Sequence, residues 1–198
     1  MELIKTYLAD SLDASFDEIF KKKYTKISKV HWTPIEVVKI ATNWLATSSD
    51  TKILDIGSGV GKFCVVGALI SDAHFYGVEI RTSLVNETNR LKKKLNLEKI
   101  QVLNENVINI DFEAFDSFYY FNPFCEQITD YDLIDDTITR SVREYESYEK
   151  HVFNQLEKSK IGARLVTYFS SNFSPPISFR IKDMMFDGEL VFWEKMKN

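Results

Sequence analysis

Three short stretches of the sequence carry residue types at spacings that can do chemistry. The first is Asp55-Ile56-Gly57-Ser58-Gly59-Val60-Gly61. An apolar, β-prone run from Lys52 to Ile56 precedes it, and Phe63, Val65, Val66, Leu69 and Ile70 follow at helical spacing, so the chain reads strand, tight turn, helix. Without a Cβ, Gly57 can turn sharply, Gly59 can let a ligand reach the backbone, and Gly61 can let the helix pack close to the strand. The free amides at the start of such a helix favour anionic or electron-rich groups. The second stretch is His74 to Ile80, a strand whose end carries Glu79 about twenty residues beyond the glycines. A carboxylate placed there accepts hydrogen bonds from both hydroxyls of a ribose better than a neutral side chain does. The third is Asn122-Pro123-Phe124, which ends an apolar run starting at Ser117. Asn-Pro is a good turn dipeptide at a strand end.

Spacing separates the ligands that use glycine-rich bends. A dinucleotide fingerprint would place its third glycine at Lys62, and a Walker loop would need glycine at Ile56 and a hydroxyl at Phe63. Neither fits, and Lys62 argues against a nicotinamide-dependent oxidoreductase. The pattern D-x-G-x-G-x-G, Asp55 to Gly61, resembles motif I of the class I S-adenosylmethionine-dependent methyltransferases. That resemblance implies S-adenosylmethionine as cofactor, bound by Asp55, Gly57, Ser58, Gly59, Gly61, Glu79, Ile80, Asn106 and Val107. Glu79 would take the ribose, Ile80 would pack on the adenine, and Asn106 stands where the family usually carries Asp against the adenine amino group. Thr33-Pro34 is similar to a segment that precedes motif I in several adenine-modifying members, where it leans over the methionine end of the cofactor.

Asn122-Pro123-Phe124 resembles motif IV of amino-methylating members. The resemblance implies that the Asn oxygen and the proline carbonyl accept from the target nitrogen while the Phe ring stacks on the acceptor, making these three the catalytic positions. The family pattern has a second proline, whereas this chain has Phe124 and then Cys125. Asp-Ile-Gly-Ser-Gly-Val-Gly-Lys with Gly77-Val78-Glu79 also resembles the lysine-methylating histone enzymes built on the same sheet. The acceptor is therefore left as a protein side chain, a nucleobase or a small molecule. A non-catalytic S-adenosylmethionine-binding sensor or partner subunit is the alternative from a different class.

The elements that must position these residues follow in chain order. Apolar residues from Leu3 to Phe20 recur near the helical period and end in Lys21-Lys22-Lys23, giving one or two helices whose carboxyl end the lysines suit. Residues 1–30 form a helical extension on one domain spanning 1–198. Thr33 is placed as N-cap and Pro34 as first residue of a helix to Ala46. A helix from Arg81 to Leu95 and a strand from Ile100 to Leu103 come next. A long helix beginning near Asp136 or Thr137 is closed by Gly162, and Ala163 to Phe169 is a strand. Ser170 to Pro176 is a mobile loop at the substrate mouth, and Ile181 to Trp193 is a hairpin around a two-residue turn at Asp187-Gly188. The sum is α/β: a three-layer sandwich around a doubly wound, mostly parallel seven-stranded sheet ending in an antiparallel hairpin, with ligands at the carboxyl ends of the strands.

Composition sets the remaining bounds. At 198 residues, 44% hydrophobic and 27% charged, the chain suits one globular core. With 25 basic against 29 acidic residues, global charge carries no nucleic-acid signature. No apolar run reaches a membrane span and no secretion signal opens the chain, so a cytoplasmic protein is expected. Cys64 and Cys125 lack C-x-x-C spacing and the histidines are scattered, so neither a disulfide nor a metal site is expected. Oligomeric state is left open.

Overall fold

The structure is a computed structural model that describes residues 2–131 and 133–197; Met1, Asn198 and Asp132, part of the acidic run after Ile128, lie outside it. Four short helices open the chain: α1 (Glu2–Ala9), α2 (Asp13–Asp17), α3 (Lys22–Thr25) and α4 (Ser28–His31), then α5 (Ile35–Leu45). The body alternates β1 (Lys52–Ile56), α6 (Lys62–Ile70), β2 (His74–Glu79), α7 (Thr82–Leu95), β3 (Ile100–Asn104), β4 (Ser117–Tyr120), α8 (Val142–Lys158) and β5 (Arg164–Tyr168). It closes with β6 (Phe179–Met185) and β7 (Leu190–Lys195).

These strands form a seven-stranded sheet in the order β3-β2-β1-β4-β5-β7-β6. β1 to β5 are parallel, and β7 runs antiparallel to both β5 and β6. The order reverses between β1 and β4, which places the crevice for a ligand at the carboxyl ends of those two strands. The expected doubly wound sheet with its terminal hairpin is the observed fold.

Alternation along the strands feeds two cores. Ile53, Phe75, Tyr119 and Val166 face α2, α5, α6 and α7. Leu54, Ile56, Phe118 and Leu165 face α8 and the two short 3-10 turns at Val107–Asn109 and Phe112–Ala114. Ile35, Val38, Ala41 and Leu45 lose all solvent contact on one side of α5, each large aliphatic contributing about 1.5–3 kcal/mol of burial. The opening helices belong to the same core, since Leu8, Phe16, Phe20 and Tyr24 are buried in it.

Several local expectations are corrected. Lys22 and Lys23 begin α3 instead of ending a helix, and Lys21 precedes it. Thr33 does not cap α5: its hydroxyl pairs with the Tyr119 hydroxyl at 3.0 Å, and the amide of Ile35 is taken by the Asp13 carboxylate at 3.0 Å. The first turn is thus capped from a distant helix. α8 begins at Val142, with the Ser141 hydroxyl accepting from the Glu144 amide at 3.4 Å. Residues 133–140 stay irregular because their backbone is tied elsewhere; the Ile134 amide donates to Glu126 at 2.6 Å and the Thr137 amide to Asp135 at 3.0 Å. Gly162 lies beyond the end of α8, whose cap is Ser159, and its amide joins Lys195 at 2.8 Å. Phe186, Asp187 and Gly188 all have positive φ, so the hairpin turn is longer than two residues. Within the Ser170–Pro176 segment, Phe173 stacks on Tyr120 with ring centroids 4.4 Å apart.

Candidate cofactor and acceptor site

The glycine bend sits at the reversal point of the sheet. Gly57, Gly59 and Gly61 have φ of 72°, 54° and 75°, the left-handed region that favours glycine. At Gly57 the reason is also steric, because a Cβ would overlap the Cβ of Pro123. Around Gly59 a Cβ would meet nothing within 4 Å, so the bend leaves open space at that backbone. Gly61 allows a close approach to Thr88 of α7, and not to the strand as expected. Ser58 fills the space above Gly77, which has no side chain of its own.

Glu79 bridges β2 to this bend. One of its carboxylate oxygens accepts from the Gly59 amide at 3.1 Å and the other from the Arg81 amide at 2.8 Å. Each oxygen has a second lone pair for a ligand hydroxyl. Burial raises its pKa above the usual carboxylate value, opposed by those two amides and the Arg81 charge. Asp55 is deeper. Burial pushes its carboxyl up to about 7, the Glu79 charge adds to the rise, and the Cys64 thiol opposes it by donating at 3.5 Å.

Two cavities meet along this line. One, about 540 Å³, lies toward α4 and α5 and is lined by Thr33, Pro34, Asp55, Ser58, Asn122 and Phe169 among others. The other, about 560 Å³, lies toward α8 and is lined by Ile80, Asn106, Val107, Phe124, Thr137 and Tyr148 among others. Gly57, Glu79, Arg81, Pro123 and Glu126 border both. The cofactor residues read from the sequence therefore converge on one rim, except that they are split between adjoining chambers. Gly61 touches neither lining and acts through packing.

The second-chamber residues differ in exposure. Ile80 is 46% exposed and Val107 6%, so Ile80 offers an apolar surface while Val107 is shared with the core. Asn106 is already engaged: its oxygen accepts from the Ile108 amide at 3.1 Å and its amide group donates to the Tyr148 hydroxyl at 3.1 Å.

Asn122 behaves differently. It has φ of 38°, its amide donates to the Ser170 hydroxyl at 2.9 Å, and its side chain has no hydrogen-bond partner among the described residues. Pro123 packs on Gly57. Phe124, expected on the acceptor side with them, is turned away. It is 8% exposed, its ring lies 5.2 Å from Tyr148 and 6.1 Å from Tyr120, and it lines the second cavity.

Sequence spacing gave no sign of three further features. Arg81 is buried between the cavities, bonded to Glu126 at 2.7 Å and to Asp135 at 3.1 Å, and lies 3.9 Å from Glu79. Lys62, 3% exposed at the start of α6, is neutralised by Asp13 and Asp17, each at 2.6 Å. Burial raises the Asp17 carboxyl against the lowering effect of Lys62. Tyr168 and Phe169 bring a second aromatic pair to the Asn122 side. Such pairings are long-range and leave no local motif. No group of His, Cys, Asp and Glu among the described residues could hold a metal ion.

Residues 47–170, more than half of the chain, match a family profile described as a methyltransferase domain, and the chain belongs to that family. Its fold is shared by solved methyltransferases at low identity. An RNA methyltransferase from Salinibacter ruber in complex with S-adenosyl-L-homocysteine is 16% identical, with a TM-score of 0.60, covering 84% of this chain and 94% of that one. TrmN from Thermus thermophilus is 12% identical, with a TM-score of 0.62, covering 87% of this chain and 52% of that one. The putative methyltransferase yhhF from Escherichia coli is 14% identical, with a TM-score of 0.57, covering 82% and 87%. Among curated protein sequences none matches.

The cofactor of the class I methyltransferases is S-adenosylmethionine, and the residues present fit it. Gly59 has the open backbone the ligand needs, Glu79 has two free acceptor positions, and the Ser58 hydroxyl is buried with no hydrogen-bond partner among the described residues.

Proposed function

We propose that this methyltransferase transfers a methyl group from S-adenosylmethionine to a nitrogen presented to Asn122. The single observation that carries the reading is the uncommitted Asn122 side chain, held at the cavity beside Pro123 and the glycine bend. Asp55, Gly57, Ser58, Gly59 and Glu79 would hold the cofactor, with Ile80, Asn106 and Val107 around the adenine. When bound, the cofactor supplies a methyl group on a positively charged sulfur, ready for displacement by a lone pair.

The chain's own part is positioning. The Asn122 oxygen and the Pro123 carbonyl accept hydrogen bonds from an N–H group, which fixes the direction of the nitrogen lone pair. Neither can take the proton, so it leaves to solvent after transfer and the rate gain comes from alignment. The Asn122 amide is itself located by Ser170, which also donates to the Tyr168 carbonyl at 2.7 Å. The ends of β4 and β5 are thereby joined under the acceptor.

No helix among the described residues is long and apolar enough to cross a membrane. The proposal places the protein in the cytoplasm, where Cys64 and Cys125, both free, would stay reduced.

The test is transfer of a labelled methyl group from S-adenosylmethionine into a cell lysate separated into protein, RNA, DNA and small molecules. Label on nitrogen in one fraction, lost with Asn122→Gly, is the expected result. Cofactor binding with no labelled product in any fraction would instead make the protein a sensor.

A further inference from the structure

We propose that Phe169, and not Phe124, is the ring on which the methyl acceptor stacks, and that the acceptor is therefore a planar, conjugated amine such as a nucleobase. The inference rests on the nitrogen-methylating reading and names its substrate class.

Phe169 directly follows β5 at the carboxyl rim of the sheet and lines the same cavity as Asn122. Two features of it are costly and bring the fold little in return. Its φ is 43°, a left-handed conformation that bulky side chains rarely adopt. The residue is 50% exposed, although an aromatic side chain gains most from burial. The surroundings nevertheless hold it there. Its amide donates to the Glu189 carbonyl at 2.9 Å, and its ring stands edge-on to Tyr168, 4.7 Å between centroids at 73°. Tyr168 in turn leans on Phe121 at 4.9 Å. A half-exposed ring that lines a cavity, braced by Tyr168 and set in a strained backbone, suits reception of something flat.

Coupling to Asn122 strengthens the assignment. Ser170, next in sequence, accepts from the Asn122 amide and donates to the Tyr168 carbonyl, so one hydroxyl fixes the hydrogen-bonding residue and the platform together. Phe124, in contrast, is packed between Tyr120 and Tyr148 on the other chamber, where it has no exposed face toward Asn122's cavity. A lysine side chain would meet such a ring with only its narrow stem or its ammonium. A nucleobase gains stacking on its whole face, as single-stranded bases do on aromatic platforms.

Saturation-transfer NMR on the whole protein with saturating S-adenosylhomocysteine tests this, using a mixture of adenosine, cytidine, guanosine and uridine beside N-acetyl-lysine methylamide and N-acetyl-glutamine methylamide. The expected result is transfer to the ring protons of at least one nucleoside. That signal falls at least fivefold in Phe169→Ala and is kept in Phe169→Tyr and in Phe124→Leu. Phe169→Gly should lose it too, while its melting temperature stays within about 4 °C of wild type, since relief of the backbone offsets lost ring contacts. Calorimetry with S-adenosylhomocysteine should give affinities within twofold for all Phe169 variants. Unchanged nucleoside transfer in Phe169→Ala, or transfer to the lysine or glutamine compound with none to any ring, or no transfer at all, would overturn the proposal. Failure of S-adenosylhomocysteine to bind wild type would instead bring down the cofactor reading beneath it.

Discussion

Two asparagines stand at the carboxyl end of the sheet, Asn106 beyond β3 and Asn122 beyond β4, and the structure uses them in opposite ways. Asn106 spends both ends of its amide on the protein, accepting from Ile108 and donating to Tyr148. Asn122 fixes only its backbone, through Ser170, and leaves its amide group unpaired among the described residues. The first caps the turn that follows it, and the second leaves its side chain uncommitted at the edge of the first cavity. Similar side chains at similar places in the fold thus differ in function because their hydrogen bonds are differently committed.

The largest expected effect lies at the glycine bend that lines the first chamber. Gly59→Arg puts a side chain into the open space of the bend at positive φ, and S-adenosylhomocysteine affinity should fall about 100-fold or more by calorimetry, roughly 2.7 kcal/mol. Binding within threefold of wild type would place the ligand elsewhere. Next comes Glu79→Ala, which removes a buried carboxylate that ties the bend to β2 and offers two acceptor positions. Charged hydrogen bonds of about 1.5–3 kcal/mol correspond to roughly 10- to 100-fold weaker cofactor binding.

Asn106→Ala sharpens the comparison from the other side. Loss of its cap should lower stability by about 1 kcal/mol in urea unfolding, with cofactor affinity reduced less than about threefold. A large affinity loss with stability unchanged would make Asn106 a ligand group after all.

A separate effect, on stability and not on ligand affinity, is a pH dependence that belongs to Asp55. Its carboxyl is raised from 3.8 to about 7 in the folded chain, so the folded state binds the proton more tightly than the unfolded one. Its contribution to stability is full below about pH 4 and is lost as pH rises toward 7. The melting temperature of Asp55→Asn relative to wild type should therefore climb by several degrees between pH 5 and 7 and level off above. A flat difference would mean that Asp55 is ionised at little cost.

Much of this was legible in the sequence where the signal is local. β1, the glycine bend and α6 are contiguous, and the acid at Glu79 ends the next strand, so spacing alone set that corner. The position of Asn122 just beyond β4 was readable for the same reason. The acceptor platform was not, because Phe169 reaches Asn122 only through the pairing of β4 with β5 and a shared Ser170 hydroxyl. Phe124 misled because a motif fixes its position along the chain but not the side to which the ring turns, and Tyr120 and Tyr148 drew it into the core. The start of α8 was misjudged for a related reason. Ile134 and Ile138 continue the helical period, yet Glu126 and Arg81 bind that segment in an irregular course. Thr33 read as a cap until Asp13 supplied one from twenty-two residues away.

The most direct test sets Asn122→Gly beside Asn106→Ala in labelled-methyl turnover at saturating S-adenosylmethionine, with lysate as acceptor. Glycine tolerates the positive φ of residue 122 and removes its side chain, carboxamide included. Turnover should fall about 100-fold in Asn122→Gly, equivalent to roughly 2.7 kcal/mol of lost alignment, with S-adenosylhomocysteine affinity within twofold and Asn106→Ala turnover within about threefold of wild type. Equal losses of turnover in the two variants, or none in Asn122→Gly, would contradict the account.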